Sequence, residues 1–142
     1  MDDIYFDEIK PSDNQIVILY ELLLKRKYNI SHQCIPTFEM HTLFVLSHPY
    51  RYWFLIYLNA EVIGSFYISN DNTIGFNVDE FDNPKVLSKV LEFVKEHYAP
   101  LPAIKSVRNE VFAINVPPNN KLLIESLNNL GAKVLQITYL ID

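Results

Sequence analysis

The run from Tyr52 to Val78 is the part of the sequence that most constrains the fold. It reads Tyr-Trp-Phe-Leu-Ile-Tyr-Leu, a break at Asn59 and Ala60, Val-Ile-Gly-Ser-Phe-Tyr-Ile-Ser, a break at Asn70 to Asn72, and Ile-Gly-Phe-Asn-Val. Aromatic and β-branched residues fill each segment, and Asn-rich breaks separate them. This predicts three antiparallel strands in a meander.

On either side of the meander the apolar spacing becomes helical. Ile4 to Ile9 reads as a short edge strand ended by Pro11, since proline cannot donate to a ladder. Ser12 is placed to cap a helix reaching about Lys27, with Ile16, Leu19 and Leu23 on one face. Residues 29–36 read as a loop. Thr37 caps a second helix whose inward side draws on Phe38, His41 or Leu43, Phe44 and Val45, and Ser47, His48 and Pro49 end it.

Asn83 followed by Pro84 makes a cap and first turn for a third helix, with Val86, Leu87, Val90, Leu91 and Val94 at helical spacing. Ala99-Pro-Leu-Pro-Ala is a rigid connector. Val111 to Val116 supplies a strand ended by Pro117 and Pro118. Asn119 or Asn120 starts a last helix with Leu123, Leu127 and Leu130 inward, and Gly131 is its left-handed cap. Val134 to Ile141 reads as a final strand closing the sheet, apolar at Val134, Tyr139 or Ile141 and interrupted by Gln136 and Thr138. The order predicts one α+β domain over residues 1–142, a central, mostly antiparallel twisted sheet with about four helices on its two faces.

Composition narrows the function classes. A chain of 142 residues suits a single core, and its formal charge of -5 is unsuited to a nucleic-acid partner, whose phosphates call for clustered Lys and Arg. The longest apolar stretch, Ile16 to Leu24, is broken by Glu21 and is too short to span a membrane. The single cysteine, Cys34, excludes an internal disulfide, and Met-Asp-Asp-Ile-Tyr lacks the features of a secretion signal, so the cytoplasm is the expected location. His32, Cys34, His41 and His48 match no zinc-ligand spacing, and no metal is expected.

The element order and several motifs resemble the GNAT superfamily of acyl-CoA N-acyltransferases. Val62-Ile-Gly-Ser-Phe is similar to the family's hydrophobic-Ile-Gly strand, and Ile74-Gly-Phe-Asn-Val to its fourth strand. The segment from Asn119 to Ala132 is similar to its last motif, with Asn120 before the helix and Gly131 after it. Pro36-Thr-Phe-Glu-Met-His and Ser47-His-Pro-Tyr-Arg-Tyr-Trp are similar to small bacterial members that acetylate amino sugars.

The resemblance implies acetyl-CoA as cofactor and transfer of its acyl group to a small amine by direct attack. It places the cofactor in a splay between the fourth and fifth strands. Phe76, Asn77 and Val78 would then line the acyl end, with Asn115 and Asn120 near the thioester or pantetheine. Asn120 has a second reading as a helix cap.

Two features depart from the family. Its pyrophosphate loop carries glycines, whereas Asp79 to Leu87 has none, with Asp82-Asn-Pro-Lys-Val-Leu on the loop pattern. Glycine allows close backbone approach to phosphate, and Asp79, Glu80 and Asp82 put carboxylates where the helix dipole favours an anion. Lys85 is the residue there able to reach a phosphate. The family's proton-donating tyrosine falls at Leu127, leaving Tyr139 or Tyr67 as substitutes.

His41, His48 and Glu39 are the candidates for deprotonating the amine, each with an alternative reading as a surface or packing residue. Tyr50 and Arg51, just outside the second strand, are the candidates for the acceptor pocket. His41 and Tyr139 are taken as the catalytic pair. Two other readings remain. One is a non-catalytic binding or regulatory domain that has lost the cofactor. The other is an interaction module, a homodimer through an exposed strand edge.

Overall fold

The computed structural model describes residues 2–26, 35–78 and 83–142. In chain order the elements are β1 (Ile4–Glu8), α1 (Asp13–Leu24), α2 (Phe38–Leu46), β2 (Tyr52–Leu58), β3 (Glu61–Ile68), β4 (Thr73–Asn77), α3 (Pro84–His97), β5 (Ala113–Ile114) and α4 (Lys121–Asn129). The expected meander is β2 to β4. Its first turn places Asn59 and Ala60 at positive φ, the backbone that matches the twist of a tight hairpin. The sheet order is β1-β2-β3-β4-β5, antiparallel except for the parallel β4–β5 pair.

Period-two alternation sends each strand's side chains to two different cores. Trp53 and Leu55 join Ile9, Ile16, Leu19 and Val45 beneath α1 and α2. Phe54, Ile56, Phe66, Ile68, Ile74, Phe76 and Val78 pack with Val86, Leu87, Val90 and Val94 of α3 and Leu123 and Leu127 of α4. The caps form as their sequence suggests. Ser12, Thr37, Asn83 and Asn120 each accept a backbone N–H from the first turn of α1, α2, α3 and α4 respectively. Gly131 takes φ +85 at the end of α4.

Several expectations are corrected. α1 stops at Leu24 rather than near Lys27. β5 is confined to two residues, not Val111 to Val116, because its pairing with β4 ends at Ile114 and the chain then leaves its neighbour, turning through Pro117 toward α4. α2 buries only His41 and Val45, since a helix of nine residues turns one stripe to the sheet; Phe38, Leu43 and Phe44 stay largely exposed. Residues 132–142 form no strand, so β5 is the edge of the sheet and Val134 to Ile141 does not close it. His32, Cys34, Asp79, Glu80 and Asp82, and most of the 29–36 loop, lie outside the described residues.

Candidate functional site

β4 and β5 run together for two pairs only, Thr73 with Ala113 and Ile74 with Ile114. They are fastened at that end by Asn72, whose carbonyl accepts the Ala113 N–H at 3.0 Å. The Asn72 side chain is fully buried. Its Nδ2 donates to the carbonyls of Leu101 at 3.0 Å and Asn109 at 2.8 Å, and its Oδ1 accepts the Leu101 N–H at 2.7 Å.

Beyond Ile74 the strands part. β4 stays against β3, as far as Ser65 opposite Asn77. Gly64 permits this approach, since a Cβ there would collide with the Asn77 carbonyl and come within 2.8 Å of Val78. A bulge in β3 between Val62 and Gly64, opposite Ile56 and Tyr57, adds bend at the same level. The chain after β5 instead turns through Pro117 into the Asn120 cap of α4.

The gap opens into a cavity of about 1200 Å³ that continues across β3 to the underside of α1 and α2. Gly75, Phe76, Asn77 and Val78 line it from β4, and Asn115, Pro117 and Asn120 from the opposite side. The side chains of Phe76 and Val78 belong to the α3–α4 core, so the strand's contribution there rests largely on backbone. Asn120 combines both of its readings: it lines the cavity, and its Oδ1 accepts the Leu123 N–H at 3.4 Å.

The wall under α1 and α2 is aromatic. Tyr50 and Tyr67 stack with centroids 3.8 Å apart, and Trp53 meets Tyr50 edge-on at 5.1 Å. Gly75 makes the stack possible, because a Cβ there would strike the Tyr67 ring. Burial, then the neighbouring Tyr67, push the Tyr50 phenol up to about 12, and burial also raises Tyr67. Both are therefore protonated donors at neutral pH.

His41 lines the same wall, with Nε2 donating to the Ile16 carbonyl at 3.1 Å, since a carbonyl can only accept. Burial pushes it below its usual 6.5, partly opposed by that bond. The ring is thus neutral, and Nδ1 carries the lone pair.

The cavity brings together His41, Tyr50, Phe76, Asn77, Val78, Asn115 and Asn120 of the expected residues, and Tyr67 with them. Five lie outside its lining, the alternative bases Glu39 and His48 among them. Arg51 turns away, donating to the Ala99 carbonyl at 3.4 Å and sitting 5.8 Å from the Tyr52 ring centre. Tyr139 is 79% exposed on the segment after α4. Lys85 is exposed on the first turn of α3. The residue that sequence reasoning reads only as a turn is Asn72; its partners lie 29 and 37 positions away, beyond any local signal.

The N-terminus of α3 has its own partners. Pro84 has no N–H, the Lys85 N–H goes to Asn83 Oδ1 at 3.0 Å, and the Val86 N–H to the Asn83 carbonyl at 3.1 Å. Asn83 in turn donates to the Asp2 carboxylate at 2.9 Å. Bonds from Asn83 and then Asn59, with Lys85 nearby, hold that carboxyl below its usual range. Among the described residues no group of His, Cys, Asp and Glu is placed to hold a metal.

No protein-family model and no curated protein matches the sequence. Solved structures do match the fold. A domain from Methanocaldococcus jannaschii is 20% identical with a TM-score of 0.64, over 92% of this chain and 88% of its own. The ribosomal L7/L12 α-N-protein acetyltransferase RimL, solved with coenzyme A, is 18% identical with a TM-score of 0.64, over 89% and 77%. An aminoglycoside N-acetyltransferase is 15% identical with a TM-score of 0.57, over 91% and 85%. At these identities the likeness is one of fold, and the fold is that of the GNAT acetyltransferases.

Proposed function

We propose that this GNAT-fold chain, read as one domain over residues 1–142, transfers an acyl group from coenzyme A to a small amine. The observation that carries the reading is the parting of β4 from β5 immediately after Ile74 and Ile114, at the mouth of the cavity. A slot between two diverging strands suits a narrow thioester arm, and the donors and acceptors along it are mainly backbone. The residues present fit that arm. They fit the phosphates less well, because the first-turn amides of α3 are already bonded and Asp2 lies at its cap, leaving Lys85 as the cationic contact.

When bound, the cofactor supplies the acyl thioester. The chain's own residues position the acceptor and move its protons. Tyr67, protonated and on the cavity wall, takes the proton-donor role that Tyr139 cannot fill from its exposed position within this chain. His41 Nδ1 is the proton acceptor, and Nε2–H, bonded to Ile16, sets the ring's orientation. Tyr50 and Trp53 give the acceptor an apolar, stackable wall.

Among the described lining residues Lys25 and Arg26 outweigh Glu61, a balance that favours an acceptor with a single amine over a polycationic sugar. Among the described residues no helix is long and apolar enough to cross a membrane. Together with the net charge of -5, this supports a cytoplasmic role without a nucleic-acid partner.

A second reading, a binding or regulatory domain without acyl transfer, is favoured by one specific observation, the self-satisfied N-terminus of α3. Titration calorimetry with acetyl-CoA and desulfo-CoA separates the two. Saturable binding of both is expected. No heat from either at millimolar concentration would overturn the transferase reading and leave the second.

A further inference from the structure

Trp53 carries a polar group that the fold leaves unused. The residue is 7% exposed and lines the cavity, yet among the described residues nothing accepts its buried Nε1–H. The rings packed on it do not supply an acceptor. Phe44, His48 and Tyr50 each meet the indole close to edge-on, with centroids at 6.1, 5.1 and 5.1 Å. His48 Nδ1 already accepts the Tyr50 N–H at 3.2 Å, so the neutral imidazole has its proton on Nε2 and offers only a second donor. Buried donors are nearly always paired, and one left open beside a cavity points to a bound molecule as the source of the acceptor.

Arg26 is a second unused donor on the same cavity. It follows the end of α1 and shares the lining with Tyr50, Trp53 and Tyr67. Among the described residues its guanidinium has no hydrogen bond and no ion pair. Its charge pulls both phenols down against the rise that burial gives them, which puts the guanidinium within electrostatic reach of the Tyr50–Tyr67 stack. Two carboxylates bear on the same region. Glu61 lines the cavity without bonding to Arg26 among the described residues, and Asp71, whose charge acts on Tyr67, is bonded to Ser69 Oγ and the Thr73 N–H. The wall thus joins aromatic surface, one neutral N–H donor and one cation with no anion of its own.

We infer that this wall binds a carboxylate of the acceptor, with Arg26 pairing its charge and the Trp53 Nε1–H donating to one of its oxygens. The acceptor class is then an amino acid or a similar amine, with one carboxylate on an apolar, stackable body. A planar guanidinium matches the two oxygens of a carboxylate, and a charge-assisted bond is stronger than a neutral one. The cavity runs from the slot after Ile74 to this wall, so one small molecule spans them with its amine toward β4 and its carboxylate at Arg26. A polycationic sugar lacks the group that both donors need. The amine end rests on the acyl-transfer reading given above, whereas the carboxylate end is a binding site with its own readout.

Trp53 is the sole tryptophan of the chain, so a single indole N–H signal in a nitrogen–proton spectrum reports on it alone. Phenylalanine, phenylalaninamide and phenethylamine, added to the full chain without coenzyme A, share one body and lose first the charge and then the carbonyl. Phenylalanine is expected to move the indole signal downfield saturably, and to bind at least about tenfold tighter than phenylalaninamide. Phenethylamine should leave the signal in place. Arg26→Gln should erase the preference for the acid over the amide and keep the wild-type circular dichroism, because Arg26 holds no other described side chain. An indole signal unmoved by phenylalanine at millimolar concentration overturns the carboxylate subsite, and so does an equal shift from phenethylamine, which would make the wall merely apolar. A preference for the acid that survives Arg26→Gln also overturns it. Each of these results leaves the transferase reading to the acetyl-CoA titration, and a failure there leaves this spectrum as it stands.

Discussion

The two ends of β4 behave in opposite ways. At Thr73 the strand is clamped: Asn72, buried and at φ 67, holds Leu101, Asn109 and Ala113 to one point through its side chain and carbonyl. At Asn77 it leans toward β3 over the missing Cβ of Gly64, and β5 goes its own way into α4. One polar side chain makes the closed end, and one absent side chain permits the open end. The cleft therefore arises from a difference in fastening along a strand of only five residues, and no loop has to be cut away to make it.

Breaking the closed end should have the largest effect. Asn72→Ala leaves the Leu101 amide and the Leu101 and Asn109 carbonyls without partners and puts a Cβ-bearing residue with no side-chain bond at positive φ. A loss of about 4 kcal/mol is expected in urea unfolding, with unsatisfied buried groups at about 1–3 kcal/mol each. If instead the stability is unchanged, the clamp does not hold β5 in place.

Filling the open end comes next. Gly75→Ala drives a methyl into the Tyr67 ring and should cost about 2 kcal/mol in thermal unfolding, while displacing the Tyr50–Tyr67 stack. Bound acetyl-CoA should be weakened with it. A variant that binds as tightly as wild type would show that the stack and the slot are independent.

Tyr67→Phe keeps the ring and removes the proton. If the open end is a site of acyl transfer, kcat should fall about a hundredfold, with stability changed by less than about 1 kcal/mol. Equal losses in kcat and in stability would make Tyr67 a packing residue.

The smallest effect concerns pH. His41 is held neutral by burial, so protonating it costs more in the folded chain than in the unfolded one. Stability present above its usual 6.5 is lost as the pH falls through the depressed folded value. Thermal midpoints should decline between about pH 7 and pH 5, and His41→Gln should flatten part of that decline. His48, also lowered by burial, accounts for a further part. A profile unchanged by the substitution would remove His41 from the titrating groups.

Much of this was legible in the residues, and the reason is local. Strand alternation, the Asn59–Ala60 and Asn70–Asn72 turns, and the caps at Ser12, Thr37, Asn83 and Asn120 depend on neighbours within a few positions. The β4 side of the cleft came instead from the resemblance of Ile74-Gly-Phe-Asn-Val to a family strand, which implied Phe76, Asn77 and Val78 as its lining. The acid position was harder. Tyr67 and Tyr139 are equal as sequence, and only the sheet shows that the former stands over Gly75 while the latter lies outside. Arg51 follows Tyr50 directly, yet the two diverge, one toward Ala99 and one into the aromatic wall.

The sequence by itself determined the elements from β1 to α4 and their order, though not the length of β5 or the fate of the final strand, because hydrophobic period and cap chemistry act over one or two turns of chain. Only the tertiary structure decided where β4 and β5 separate, which tyrosine faces the cavity, and that Val134 to Ile141 joins no strand among the described residues. Those outcomes depend on contacts between distant residues and on whether an edge is there to receive a strand. A strand's residues announce its willingness to pair, while the pairing belongs to the sheet.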